Sequence, residues 1–97
     1  MLPGQMSKLT QGALTTTAAT ISPLNDYIRL TGTTAIATIV PPPSFQASGG
    51  GILFIIPTGG DVATLTTGNI SLVVTMTNKK VAVLVYDTST SKWYPNV

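Results

Sequence analysis

The sequence predicts an all-β domain, a small antiparallel β-sandwich or barrel of about seven or eight short strands. Seventeen of the 97 residues are threonine, and side chains branched at Cβ favour extended backbone. No apolar pattern with helical periodicity persists over about ten residues. Short apolar runs are instead separated by clusters of turn residues, as is typical of sandwiches and barrels.

The predicted strands follow one another from Asp26 to the C-terminus. Pro41–Pro43 ends the second of them, because proline provides no donor for the ladder and fixes φ. Residues 44–51 are predicted to form a loop, and Asn78-Lys79 is predicted to connect an antiparallel hairpin. The strands cover residues 26–31, 33–40, 52–56, 62–66, 70–77, 81–86 and 92–94.

The length allows one domain, because domains typically have about 100–150 residues. We place this domain at residues 26–97 and an extended N-terminal arm at residues 1–25, which are polar, rich in threonine and interrupted by Pro3 and Pro23. The arm has two interpretations. It is either a loosely ordered terminus or a segment that pairs with the sheet edge of a neighbouring subunit.

Two predicted strands, Ile52–Ile56 and Val81–Tyr86, are apolar on both faces. A strand with one hydrated face alternates apolar and polar residues, so these strands need cover on both sides. A chain this short has little helix to supply it, and we expect a second copy of the chain to provide the cover. Small alanines would also let another backbone approach closely. The residues expected at this oligomer interface are Leu53, Ile55, Ala35, Ala37 and Leu84.

The composition argues against several classes of function. Only 8% of the residues are charged, against about 25% in ordinary globular proteins. The net charge of +2 comes without a cluster of Lys and Arg that would bind a phosphate backbone, so no nucleic-acid partner is expected. No apolar stretch approaches the ~18 residues of a membrane span, and no signal peptide is apparent. We expect a protein that is made and kept in the cytoplasm until it assembles.

The sequence predicts no enzyme, metal site or cofactor. It contains no His, Glu or Cys, which leaves Asp and Lys as candidates for a general base and Asp as a candidate metal ligand. Asp26, Asp61 and Asp87 each lie beside a predicted turn, where aspartate commonly accepts hydrogen bonds from nearby backbone. The glycine run 49–51 lacks the Lys and Ser/Thr of a phosphate-binding loop.

Three aromatic residues are candidates for partner binding. Phe45 lies in the predicted Pro/Gly loop, and exposed loop aromatics often mark contact sites. Trp93 and Tyr94 are neighbours on the last strand and therefore face opposite ways. Their aromatic rings either pack in the core and between subunits or form a stacking platform for sugar rings.

Several short motifs occur in a recognisable order. The motifs are Ile28–Thr34, the proline run 41–43, the glycine run 49–51, Thr66–Ile70, Val85–Asp87 and Trp93-Tyr94. This order resembles that of small β-rich virion proteins of tailed bacteriophages, a group that includes capsid decoration (cement) proteins, head fibres and tail-spike segments. The resemblance covers about residues 26–97.

The resemblance implies a homotrimer on the capsid surface that uses an N-terminal segment, here residues 1–25, to bind the shell. The major capsid protein would be the partner, and the protein would stabilise the shell by gluing neighbouring capsomers. Two alternatives remain open. One is a lectin-like fibre module that binds surface glycans through Phe45, Trp93 and Tyr94; the other is a structural component of the tail or baseplate.

Overall fold

A computed structural model describes residues 11–97, which form nine β-strands and one short helix. The β class is confirmed. The elements are β1 (Thr15–Thr16), β2 (Thr20–Ile21), β3 (Tyr27–Thr31), β4 (Thr38–Ile39), α1 (Pro43–Ala47), β5 (Gly50–Pro57), β6 (Val62–Ala63), β7 (Thr75–Met76), β8 (Ala82–Asp87) and β9 (Lys92–Asn96).

Five strands form the main sheet, in the order β1-β3-β5-β8-β9. β5 pairs with β8 and β8 with β9 in antiparallel fashion, as a run of hairpins would. β1 pairs with β3 and β3 with β5 in parallel, so the sheet is mixed and not antiparallel as the sequence suggested. The parallel pairs arise because the chain leaves the sheet between these strands and returns in the same direction. Within residues 11–97 the strands do not close into a barrel.

The chain segments between these strands build a second, irregular layer. β2 and β4 pair in parallel, and β6 and β7 pair in antiparallel fashion. Ile36 joins the two pairs, because its N–H donates to Ala63 O at 2.9 Å and its carbonyl accepts from Leu65 N at 2.8 Å. The four strands of this layer are only two residues long, although longer strands were expected at 33–40 and 70–77.

A buried threonine explains why the strand expected at residues 70–77 is shortened to β7. The Thr64 hydroxyl donates to Leu72 O at 2.8 Å and accepts from Val74 N at 2.9 Å. The side chain therefore takes the place of a neighbouring strand for these main-chain groups. The segment can bend while its polar groups remain bonded.

The hydrophobic core combines side chains of the main sheet, the second layer and α1. Burial of these side chains is the main force that holds the layers together. The core consists of Ile21, Ile28, Leu30, Ile36, Ile39, Phe45, Leu53, Ile55, Val62, Ile70, Met76, Ala82, Leu84, Tyr86 and Trp93.

Helix α1 lies in a segment predicted as loop. Proline suits the first turn of a helix, because its φ is already helical and its missing N–H would have no intrahelical acceptor there. The turn buries Phe45, whose ring lies directly over Gly51. A side chain at position 51 would collide with that ring.

The described part of the predicted arm, residues 11–25, contributes β1 and β2. Thr17 and Ile21 are buried, and Thr17 Oγ1 accepts a hydrogen bond from Thr34 N at 3.1 Å. Residues 11–25 thus pack against the rest of the chain. The remainder of the predicted arm, residues 1–10, lies outside the described residues.

Candidate functional site

Among residues 11–97, the main sheet has one face covered by the second layer and one face that no other element covers. Successive residues of a strand point to opposite sides, and on β5 the residues Leu53 and Ile55 point into the core while Ile52 is 47% exposed. We call the uncovered side of the sheet the outer face. Its apolar residues are Tyr27, Ile52, Phe54, Ile56, Val83, Val85 and Tyr94.

One row of the outer face is open to solvent across three strands. Ile52 of β5 lies opposite Val85 of β8, which lies opposite Tyr94 of β9. These residues are 47%, 43% and 42% exposed. Single exposed apolar residues are ordinary, whereas contiguous apolar patches larger than about a few hundred Å² often mark interaction sites.

The next row widens the patch toward the other edge of the sheet. Tyr27 of β3 lies opposite Phe54, which lies opposite Val83, and all three are half-buried. On the described strands, the charged residues of the outer face lie beyond this apolar centre. Arg29 lies opposite Ile56 at one corner, and Asp87 lies opposite Lys92 at the far end. This distribution resembles the apolar core and polar rim of a protein interface.

The structure buries three of the residues that the sequence predicted for an oligomer interface. Leu53, Ile55 and Leu84 have no exposed surface, because the chain's own second layer covers that side of the sheet. They are core residues and cannot contact a partner in this fold. The sequence correctly identified strands with two apolar faces, but the uncovered face is the opposite one.

The two alanines predicted for the same interface lie in the second layer. Ala35 and Ala37 are half-buried, and Ala37 N donates to Ala19 O at 2.9 Å. The close backbone approach expected there comes from the chain itself, since Gly68 packs against Ala37 O without room for a side chain. Neither alanine belongs to the outer face.

Two of the three aromatic candidates for partner binding are core residues. Phe45 is 8% exposed and Trp93 is fully buried, with their ring centroids 6.0 Å apart. Tyr86 also packs against Trp93, with the two ring centroids 5.1 Å apart. The Trp93 indole N–H donates to Ile39 O at 2.9 Å, so its polar atom is satisfied inside the protein. Neither ring is available to a partner.

Tyr94 alone of the three lies at the surface. Its hydroxyl donates to Thr90 Oγ1 at 3.0 Å, which holds the ring beside the turn that joins β8 to β9. Because Trp93 and Tyr94 are successive residues of β9, they lie on opposite faces of the sheet. The structure does not assemble the three aromatic rings into one platform.

Of the acidic residues for which hydrogen bonds are resolved, Asp87 bonds within its own turn, whereas Asp61 bonds a turn 17 residues further along the chain. Asp61 Oδ1 accepts from Asn78 N at 2.8 Å, and Asp87 Oδ1 accepts from Ser89 N at 3.0 Å. Across residues 11–97, no three metal-binding side chains lie together. The same part of the chain has no helix long and apolar enough to cross a membrane.

No family model matches the chain, and neither a curated protein nor a solved structure matches it.

Proposed function

We propose that this chain is a structural protein of a bacteriophage virion, which assembles as a homo-oligomer and decorates and stabilises the capsid. The observation that carries the proposal is the outer face, with an apolar row formed by Ile52, Val85 and Tyr94. Contact with other copies would remove this row from water. The resemblance in motif order to phage decoration proteins supplies the virion context.

The size of the outer face limits the strength of self-association. With strands about 4.8 Å apart and residues rising about 3.3 Å, the apolar centre spans roughly 20 by 20 Å including side chains, or about 400 Å². A standard interface takes about 800 Å² from each partner. The charged residues around the apolar centre, Arg29, Asp87 and Lys92, must therefore take part in the contact. Two copies alone would associate reversibly.

In the homotrimer that the resemblance implies, each copy would contact two others. Three outer faces around a threefold axis would share one apolar centre, with Arg29 and the Asp87–Lys92 pair at its ends. Attachment of many copies to a repeating shell would then multiply weak contacts. Since few residues are charged, attachment should respond little to salt.

The proposal is tested on particles of a phage that encodes the chain. Antibody labelling in electron microscopy should place the protein on the head, and shells that lack it should rebind the purified protein. Rebinding should raise the temperature at which the shells open. Labelling of the tail or baseplate, or a protein present in infected cells but absent from particles, would contradict the proposal.

A further inference from the structure

Two oppositely charged side chains lie at opposite ends of the outer face. Arg29 of β3 is opposite Ile56 of β5, whereas Asp87 of β8 is opposite Gly50 of β5. The two charged residues are therefore separated by the stretch of β5 from position 50 to position 56 and by the width of two strands. With a rise of about 3.3 Å per residue and strands about 4.8 Å apart, they lie about 22 Å from each other. They cannot pair within one copy.

Neutral neighbours hold both charged side chains in place. In the amide orientation that satisfies its hydrogen bonds, the Gln11 side-chain oxygen accepts from Arg29 Nε at 2.8 Å and from Nη2 at 3.2 Å. The Asp87 carboxylate accepts from Ser89 N at 3.0 Å and from Thr90 Oγ1 at 3.3 Å. None of these partners is charged, so they orient the guanidinium and the carboxylate without neutralising either. Arg29 also keeps further N–H donors for another acceptor.

The midpoint between the two charges coincides with the apolar centre of the outer face. In the register of the sheet it falls on β5 at Leu53, between the outward side chains of Ile52 and Phe54. A surface with a positive end, an apolar centre and a negative end is complementary to a copy of itself that is turned around. Turning a second copy about this midpoint brings each charge opposite its counterpart and keeps the two apolar centres in contact.

We propose that the outer face binds the outer face of a second copy in a register that places Arg29 of each copy against Asp87 of its neighbour. The two side chains together span the about 10 Å between sheets that pack face to face. A guanidinium and a carboxylate can form two parallel hydrogen bonds, which fixes the register as well as adding attraction. In a dimer the pair forms reciprocally, and in a closed ring each copy offers Arg29 to one neighbour and Asp87 to the other. The inference rests on the self-association of the proposed function.

Charge reversal tests this register in the full-length protein. Arg29→Asp and Asp87→Arg each place like charges in contact, and each should weaken self-association by about tenfold or more. The double variant Arg29→Asp/Asp87→Arg restores opposite charges and should associate within about threefold of the unmodified protein. Sedimentation velocity of fluorescently labelled protein, from nanomolar to micromolar concentration, measures the change. A double variant that associates no better than the single variants would overturn the register.

Neutral variants separate the pair from changes in fold and in net charge. Asp87→Asn keeps a side-chain oxygen for Ser89 N and so preserves the turn. Asp87→Asn and Arg29→Gln should each weaken association by about two- to fivefold. Lys92, which lies beside Asp87 on β9, meets no carboxylate of the neighbour in this register, so Lys92→Gln should not weaken association. Equal weakening by Arg29→Gln and Lys92→Gln would contradict the proposal.

Cross-linking tests the register directly. Because the chain contains no cysteine, Arg29→Cys and Asp87→Cys each introduce a single thiol. A bismaleimide that spans about 10 Å should link the two variants to each other in a mixture and should link neither variant to itself. Links within either variant alone, or none in the mixture, would overturn the register. If Ile52→Asp abolishes association but the Arg29 and Asp87 variants do not, the register is wrong and contact through the outer face stands. The labelling of particles judges the virion role separately.

Discussion

The indole N–H of Trp93 donates a 2.9 Å hydrogen bond to the main-chain oxygen of Ile39, which joins β9 of the main sheet to β4 of the second layer. Asn69 reinforces this junction, because its amide donates to the same oxygen at 2.7 Å and accepts from Ile39 N at 2.9 Å. The two layers are thus connected by polar bonds inside an apolar core. Such buried bonds are costly to break, since they leave unsatisfied groups behind.

Trp93→Phe should destabilise the protein by about 2 kcal/mol, because it removes the bond to Ile39 and part of the buried ring. Tyr94→Phe is the matched control on the same strand. It removes a hydroxyl that bonds Thr90 at the surface, and surface changes usually stay within about 0.5 kcal/mol. Urea denaturation measures both free energies of unfolding. Equal values for the two variants would show that Trp93 does not join the layers as described.

Thr64→Val tests the side chain that substitutes for a strand. The variant keeps the shape of threonine but leaves Leu72 O and Val74 N without their partner, at a cost of about 1–3 kcal/mol. Thr66→Val changes an exposed threonine two residues away and should be nearly neutral. Thermal and chemical denaturation compare the two. A neutral Thr64→Val would mean that these main-chain groups find other partners.

Phe45→Ala and Tyr94→Ala separate core packing from carbohydrate binding. Phe45→Ala should cost about 3–5 kcal/mol of stability, because the ring packs on Trp93 and over Gly51. Tyr94→Ala should leave the fold intact. If the glycan-binding alternative holds, the folded Tyr94→Ala variant will lose binding on a glycan array that the unmodified protein retains. Absence of glycan binding by the unmodified protein would remove that alternative.

Removal of residues 1–23 distinguishes an attachment arm from an integral part of the fold. The deletion eliminates β1, β2 and the buried side chains of Thr17 and Ile21. We therefore expect an unfolded or aggregated chain, as judged by circular dichroism and the loss of a cooperative melting transition. A truncated chain that melts cooperatively near the normal temperature would show that residues 11–23 act only as an appendage.

The sequence predicted where the longer strands lie, but neither how all of them pair nor the helix between two of them. β5, β8 and β9 follow from the apolar runs and turn clusters that border them. The parallel pairing of β3 with β5 could not be predicted, because it depends on where the intervening chain packs. Helix α1 was missed for a related reason: its single turn is stabilised by the burial of Phe45 and by no periodic pattern.

The outer face could have been distinguished from the inner one by its charges. Arg29 alternates with Ile28 and Leu30, and Lys92 alternates with Trp93, so each charge marks the side of its strand that faces solvent. The β5 run itself contains no polar residue from Ile52 to Ile56, and this is why it could not indicate its own orientation. Cross-strand pairing with β3 and β9 supplies that information.

Sedimentation velocity at micromolar concentration tests the central claim, which is that the outer face mediates association between copies of this chain. The unmodified protein should sediment as an oligomer, and Ile52→Asp should yield a folded monomer, because its new charge is buried only upon association. Leu53→Asp, its neighbour facing the core, should instead unfold the chain. A compact single-chain species of the unmodified protein, or an Ile52→Asp variant that remains oligomeric, would contradict the account.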